Sequence, residues 1–365
     1  MSNMKKPYAP KPLPEAYGIL DYSVFLDELI QAVSMFEVYK EKIKDSKVNP
    51  NWFMPTLQQK EAMKSSMMEG TQATLDGVLI NKIVRDEDNK NLNEVDNYFT
   101  ATQIGFHMLK RGDFSDDFFK IIHKQLMSGK VRKNENSVGE YRDHQNYVGK
   151  NDGTLVYIPP EPERVSQLMK DFIQYLNSPT DRIHPLIRVA IVHAQFETIH
   201  PFSDGNGRVG RILIPLYLYF QSQLELPYFF ISEALERDQL KYYKMLNDTR
   251  LPEKWNDWIK FFLDIIAKQC KKYVQIISNV NELYSKHMEI ACGLIKSSSS
   301  IVKIIDGIYQ MPIFDARLLH EFTGIPLATI NRYLNIMVER GLLFTDGKKR
   351  NRLYFYYDLL SLFRD

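Results

Sequence analysis

The sequence predicts a mainly α-helical protein with one small β-hairpin in each of two domains. Three observations lead there. Apolar residues recur every three to four positions through most of the chain, as at Phe25, Leu29, Val33 and Phe36, which is the spacing of one helical face. β-prone runs are short and confined to two places, around Lys150-Asn151-Asp152-Gly153 and around Asp346-Gly347. Asp-Gly pairs between apolar runs are strong hairpin signals. The second hairpin follows three helical segments, which is the element order of a winged helix-turn-helix domain.

Composition sets the bounds. A chain of 365 residues has room for two or three domains and needs no disulfide or metal to hold a core. Its 44% hydrophobic and 25% charged content is that of an ordinary soluble protein, and a net charge of +2 singles out neither nucleic acid nor membrane. The two cysteines, Cys270 and Cys292, have no CxxC spacing, which argues against a zinc site and for a reducing compartment. The first eighteen residues lack an apolar stretch of signal-peptide type, and the apolar run Ile212–Tyr219 is too short to span a bilayer. The expectation is a cytoplasmic protein with no membrane partner.

Element by element, the proline-rich residues 1–18 read as an extended arm. Asp21 or Ser23 is placed to cap a helix running to about Lys44. Pro50 and Pro55 bound a short connection, and Thr56 caps a helix that ends near Gly70. Helices follow over Val95–Lys110 and Asp116–Met127. Tyr147-Val148 and Leu155–Ile158 form the first hairpin, stopped by Pro159-Pro160. Helices then cover Glu163–Leu176, 183–198 and about Asn206 to Phe220, with Pro215 predicting a kink or local break in the last. Two more span 233–247 and 253–290. Lys296–Ser300 marks a boundary, after which come helices Ile301–Gln310, Asp315–Phe322 and Leu327–Glu339. Two strands around Asp346-Gly347 complete the chain, with Leu353, Phe355 and Tyr357 as packing residues. This divides the chain into 1–90, 91–293 and 294–365.

The chemistry concentrates in His200-Pro201-Phe202-Ser203-Asp204-Gly205-Asn206-Gly207-Arg208-Val209-Gly210-Arg211. Gly205 and Gly207 admit backbone conformations in which successive N–H groups converge on an anion, and the start of a helix adds to that attraction. Arg208 and Arg211, three apart, share a helical face and offer planar forks to phosphate oxygens. His200 can take a proton near neutral pH. Asp204 is a hard oxygen ligand suited to Mg²⁺ shared with phosphates. No GK[ST] follows, so this is not a Walker A loop. Phe202 reads as a core anchor. The parts suit transfer of a phosphate-containing group to a hydroxyl.

These twelve residues resemble the full signature of the Fic (filamentation induced by cAMP) family, at every position. The resemblance implies a helical Fic core over residues 91–293 and transfer of AMP from ATP, with Mg²⁺, to a Ser, Thr or Tyr hydroxyl of a protein. By that likeness His200 is the general base and Asp204 the metal ligand. Gly205, Asn206 and Gly207 engage the α-phosphate region, and Arg208 and Arg211 the polyphosphate, Arg211 nearest the γ-phosphate. The hairpin carrying Tyr147, Val148, Leu155, Val156, Tyr157 and Ile158 corresponds to a flap that clamps an extended target segment. Self-modification and a homodimer are further expectations.

Ser65-Ser66-Met67-Met68-Glu69-Gly70 resembles the family's inhibitory motif. A Glu69 carboxylate on Arg211 would occupy the fork needed by the γ-phosphate, with Ser65 on the same helical face and Gly70 ending the helix. The C-terminal residues resemble a winged helix-turn-helix domain by element order. Thr329, Arg332, Lys348, Lys349 and Arg350 would lie on its recognition helix and wing, a basic surface for DNA; protein docking or a structural role fits the same elements. Two other readings of the whole chain stay open. One is transfer from another nucleotide or removal of AMP. The other is a DNA-binding regulator with a nucleotide-sensing core.

Overall fold

The computed structural model describes residues 6–129, 137–149, 155–251, 254–294 and 299–364. It is mainly helical, as the periodicity predicts. Helices α1 (Leu26–Lys44), α2 (Pro50–Met67), α3 (Leu75–Asn81), α4 (Lys90–Leu109) and α5 (Asp116–Leu126) precede a two-stranded antiparallel hairpin, β1 (Val148–Gly149) and β2 (Leu155–Tyr157). Helices α6 (Pro162–Asn177), α7 (Pro185–Ile199) and α8 (Asn206–Phe220) follow. Then come α9 (Ser232–Arg237), α10 (Gln239–Asp248) and α11 (Trp255–Leu294). Residues 299–364 form α12 (Ser299–Gln310), β3 (Ile313–Asp315), α13 (Ala316–Thr323), α14 (Leu327–Glu339), β4 (Phe344–Thr345), β5 (Leu353–Phe355) and α15 (Tyr357–Phe363). Their sheet has the order β3-β5-β4 and is antiparallel throughout. No helix among the described residues is long and apolar enough to cross a membrane.

Several expectations need correction. Asp21 caps a short 3-10 turn at Tyr22–Val24 rather than α1. Helix α2 starts at Pro50, capped by Asn49, and runs through Pro55, so Thr56 is interior and not a cap. A proline five residues from the helix start forfeits one ladder bond but does not stop the helix. Pro215 likewise leaves α8 continuous, with no local break. The segment 233–247 is two helices meeting at Asp238. The C-terminal hairpin gains β3 as a third strand. The buried side chains here are Leu353 and Tyr354 in the last strand and Tyr356 just after it, whereas Tyr357 is exposed and opens α15. The turn at 150–153 and residues 296–298 of the predicted boundary lie outside the described residues.

Helix α2 lies at the centre. Every residue from Phe53 to Ser66 except Pro55 is buried, polar ones included, because α4, α9 and α12 pack around it. Buried charge must be paired to be tolerated, and here it is. Lys60 Nζ meets Glu233 Oε1 at 2.8 Å, and Glu61 accepts from the Ser232 N–H at 2.9 Å and from its hydroxyl at 2.5 Å. These bonds tie α2 to the first turn of α9. Residues 299–364 join the same body through α12 against α2 and an Arg364–Asp76 ion pair.

Helix α7 is also wholly buried from Leu186 to Ile199 and packs on α8. His193 straps the two. Its ring nitrogens meet the Gly210 carbonyl at 3.0 Å and the Tyr242 hydroxyl at 2.9 Å, and burial lowers its pKa to about 3. Gly210 admits a close approach. A Cβ there would stand 2.2 Å from Glu197 Oε1, an oxygen that is buried without a hydrogen-bond partner. Burial raises the Glu197 carboxyl to about 7 despite the nearby Arg211 charge. The folded state therefore holds a proton that the unfolded chain releases above the usual carboxyl value of 4.5. The stability this group contributes is complete below that value and is lost as pH rises to about 7. Glu61 slopes the same way and is common to both chains in the following comparison. The substitution Glu197→Gln should remove its part of the loss. Denaturant melts at pH 5 and pH 8 should show a smaller stability drop for the variant, by on the order of 2 kcal/mol. Equal drops would contradict the assignment.

Candidate active site

The loop between α7 and α8 is held from several sides. His200 ends α7 in the left-handed region, at φ 51° and ψ 60°, with its N–H on the Phe196 carbonyl at 3.0 Å. A histidine there is strained, so its surroundings must fix it. Two residues on, Phe202 is buried and stacks on His123, with ring centroids 3.9 Å apart and planes at 7°. His123 Nδ1 accepts the Gly139 N–H at 2.9 Å, so Nε2 carries the proton and donates to the Asp204 carbonyl at 3.0 Å. The Asn206 amide closes the turn on Phe202, accepting from its N–H at 2.9 Å and donating to its carbonyl at 2.8 Å. Gly205, at φ 77°, then swings the chain into α8. The predicted anchor and turn are thus both present, while the Asn206 side chain is engaged inside the loop.

The His200 imidazole is buried, the Glu197 carbonyl of the preceding turn favours its protonated form, and a neutral imidazole keeps one ring nitrogen to accept a proton. Burial, then the charges of Arg250 and Arg142, lower its pKa to about 4. At neutral pH it is the neutral, proton-accepting form.

Around it the loop builds an anion cradle. No side chain caps the start of α8, so its first-turn N–H groups and helix dipole face the loop. Arg208 is buried, yet its Nε and Nη1 donate no hydrogen bond; Nη1 stands 4.0 Å from Glu94 and Nη2 reaches Met127 Sδ at 3.5 Å. Orphaned guanidinium donors beside an uncapped helix start fit phosphate oxygens. Asp204 Oδ1 accepts the Gly205 N–H at 2.6 Å. No cluster of three or more His, Cys, Asp or Glu occurs among the described residues. A lone carboxylate suits Mg²⁺ that draws its other ligands from a nucleotide and water.

Arg211 is 1% exposed and held through Nε and Nη2 by Ser65 and Glu69. Its Nε donates to Ser65 Oγ at 2.7 Å. Its Nη2 donates to the Ser65 carbonyl at 3.0 Å and to Glu69 Oε1 at 2.6 Å. Burial alone would raise the Glu69 carboxyl, but Arg211, with help from Arg208 and His200, holds it below the usual range. Glu69 lies past the last turn of α2, followed by Gly70 at φ 97°, and its side chain remains 33% exposed. Gly207 makes room for it, since a Cβ there would stand 2.6 Å from Glu69 Oε1. Ser65 and Glu69 therefore meet Arg211, and Gly70 turns the chain away just after them.

The hairpin sits over this loop. Val148 pairs with Tyr157 and Gly149 with Leu155, with an irregularity between Val148 and Gly149. Tyr147 is 66% exposed, Val148, Leu155 and Val156 are half-buried, and Tyr157 and Ile158 face inward. Tyr157 donates to the Thr198 carbonyl and lies under the Arg250 guanidinium at 3.5 Å. Asn146 Nδ2 donates to the Phe202 and Ser203 carbonyls at 3.0 and 3.2 Å. In the C-terminal part, Arg332 on α14 and Lys348, Lys349 and Arg350 beyond β4 are exposed, and Thr329 is half-buried.

Sequence reasoning missed His123, Arg142, Asn146, Glu197 and Arg250. Each acts through backbone carbonyls, ring stacking or charge at a distance in the chain, and none belongs to a spaced motif.

Comparison with known proteins agrees with this geometry. Residues 113–218 match the model of the Fic/DOC family and residues 26–107 that of the Fic/DOC family N-terminal region, together about half of the chain. The protein adenylyltransferase Fic of Drosophila sechellia is 30% identical over 154 residues, 40% of this chain and 30% of that protein. The protein adenylyltransferase fic-1 of Caenorhabditis elegans is 40% identical over 81 residues, 22% of this chain and 15% of that protein. The match thus spans less than a third of these relatives. Among solved structures, a Fic family protein from Desulfovibrio desulfuricans G20 superposes with a TM-score of 0.57 at 21% identity, covering 89% of this chain and 95% of that one. The C. elegans Fic-1 fragment superposes with a TM-score of 0.53 at 19% identity, over 71% of this chain and 74% of that one. These likenesses establish a Fic-like helical core. By its loop, its two family regions and its fold, the chain belongs to the Fic/DOC family.

Proposed function

We propose that this chain is a protein adenylyltransferase, moving AMP from ATP to a Ser, Thr or Tyr hydroxyl of a target protein or of itself, and held inactive in cis by Glu69. The observation that carries the reading is the convergence of a neutral His200 with the unpaired donors of Arg208 and the uncapped start of α8. The acceptor oxygen attacks the α-phosphorus of ATP as its proton passes to His200. The bond to the leaving pyrophosphate breaks, and its negative charge stays with the pyrophosphate. Arg208 and the first-turn N–H groups meet the phosphate oxygens, where fixed donors stabilise developing charge. Mg²⁺, when bound, neutralises phosphate charge, and Asp204 is the side chain placed to hold it. The hairpin edge is suited to hold an extended target segment through main-chain bonds.

Glu69 and Ser65 consume donors of Arg211 that a γ-phosphate would need. With Glu69 seated, a triphosphate meets a carboxylate in place of a fork. Removing that carboxylate leaves Ser65 on Arg211 and frees one N–H of Nη2, the other staying on the Ser65 carbonyl.

A second reading concerns residues 299–364. The first three of their four helices, α12, α13 and α14, with the three-stranded antiparallel sheet, suit a winged helix, and the exposed Arg332, Lys348, Lys349 and Arg350 supply charge suited to a phosphate backbone.

Three outcomes test these proposals. The substitution Glu69→Gly should raise incorporation of labelled AMP at least about tenfold, as expected for freeing one charge-assisted contact. Mass spectrometry after incubation with Mg²⁺ and each common nucleoside triphosphate identifies the transferred group, and no gain in any sample would sink the brake. Adding His200→Ala to that variant should abolish transfer while nucleotide affinity, measured by calorimetry, stays. Finally, duplex DNA binding followed by fluorescence anisotropy should weaken steeply between 50 and 200 mM salt. It should also weaken on neutralising Lys348, Lys349 and Arg350 together; no binding to duplexes of any sequence at low salt would exclude the DNA reading.

A further inference from the structure

Arg142 lies ahead of β1, is buried, and spends its guanidinium entirely on main-chain carbonyls. Its Nε donates to His200 at 2.9 Å, Nη1 to His144 at 3.2 Å and Nη2 to Pro160 at 2.6 Å. Its own N–H donates to the Pro201 carbonyl at 2.9 Å. One side chain therefore spans three stretches of chain: the catalytic loop, the stem entering the hairpin and the stem leaving it. None of these partners is a carboxylate. A buried guanidinium ordinarily meets one, so its charge is left standing one carbonyl away from His200.

Two features give this fork a purpose. His200 sits in a strained left-handed conformation, and the two carbonyls that Arg142 grips are those of His200 and Pro201. Those bonds resist relaxation of the loop. The hairpin, meanwhile, has among the described residues only a short irregular ladder of its own, too little to fix its height above the loop. Arg142 sets that height from both stems, and Asn146 adds bonds to Phe202 and Ser203.

We propose that Arg142 is a positioning residue for the transfer reaction: it holds His200 in its left-handed geometry and locks the hairpin to the loop, so that a hydroxyl presented along the hairpin meets the imidazole. The proposal rests on the adenylyl-transfer reading of the site. Four groups besides solvent act on the ring. Arg142 and Arg250 oppose its protonation, and Glu69 and the Glu197 carbonyl favour it. Removing Arg142 takes away one of two opposing cations, so the acid limb of activity moves upward from about 4.

The test uses the full chain carrying Glu69→Gly, with self-labelling by radiolabelled ATP as the activity. Both Arg142→Gln and Arg142→Lys should slow labelling about a hundredfold, the scale of a 1 Å misplacement, with ADP affinity within about twofold of the parent. The imidazole titration of His200, assigned by NMR through its loss in His200→Ala, should shift upward in Arg142→Gln and stay near the parent in Arg142→Lys. Hydrogen exchange at 148–149 and 155–158 should quicken in both. Labelling within threefold of the parent overturns the proposal. So does an unmoved His200 titration in Arg142→Gln, or loss of ADP affinity in step with activity in both variants. Should the parent itself transfer nothing, the adenylyl-transfer reading fails, and the titration and exchange measurements still decide whether Arg142 positions the loop and hairpin.

Discussion

A guanidinium buried to 1% exposure has to be answered by acceptors, and Arg211 is answered by α2 and the residue pair just beyond it. Breaking a buried pair from one side costs roughly 3–5 kcal/mol, so this contact constrains everything around it. The helix carrying Ser65 must reach the interior, which forces Lys60, Glu61 and Lys64 inside with it. They in turn require Glu233, Ser232 and Glu236 on α9. Gly207 has to lack a side chain for the carboxylate to arrive. The requirement at one arginine thus propagates through three helices.

The second organising fact is electrostatic. Arg142, Arg208, Arg211 and Arg250 crowd one loop, and among the described residues only Arg211 has a close carboxylate partner. Burial depresses Arg142, Arg208 and Arg250 below the usual guanidine range, with the Arg211 charge adding to it at Arg208. Burial and the Arg250 and Arg142 charges also keep His200 neutral. Such a site is costly to fold empty and favourable to fill with an anion, the arrangement expected of a preorganised phosphate site.

Much of this was legible in the sequence. The loop from His200 to Arg211 concentrates its roles in contiguous residues, so a linear reading finds them, and Ser65 and Glu69 share a helical face by spacing alone. Helices with one wet side, such as α5 and α6, also announce themselves. Helix α2 does not. It is buried on every side, so its polar residues interrupt the apolar rhythm, and Pro50 and Pro55 look like breaks when one opens the helix and the other is absorbed by it. Short elements held by tertiary contacts, such as α3 and β3, carry too little pattern to be seen. Arg142 and His123 act on carbonyls and rings far away in the chain, and no local spacing encodes such partners.

The burial of α2 also separates two parts of the contact on Arg211. Ser65 belongs to a helix with no exposed face, whose withdrawal would expose Phe53, Met54, Leu57 and Met63 and so amount to unfolding the centre of the molecule. Glu69 stands past the final turn, beside Gly70 and one-third in solvent. It can turn away while the helix stays. The same segment is therefore a jig as well as a stopper: its rigid end keeps the arginine aimed, and its loose end alone decides whether the aim is blocked. Excising the helix and swinging out the glutamate are different operations on this molecule, and only the second leaves a site with its geometry intact.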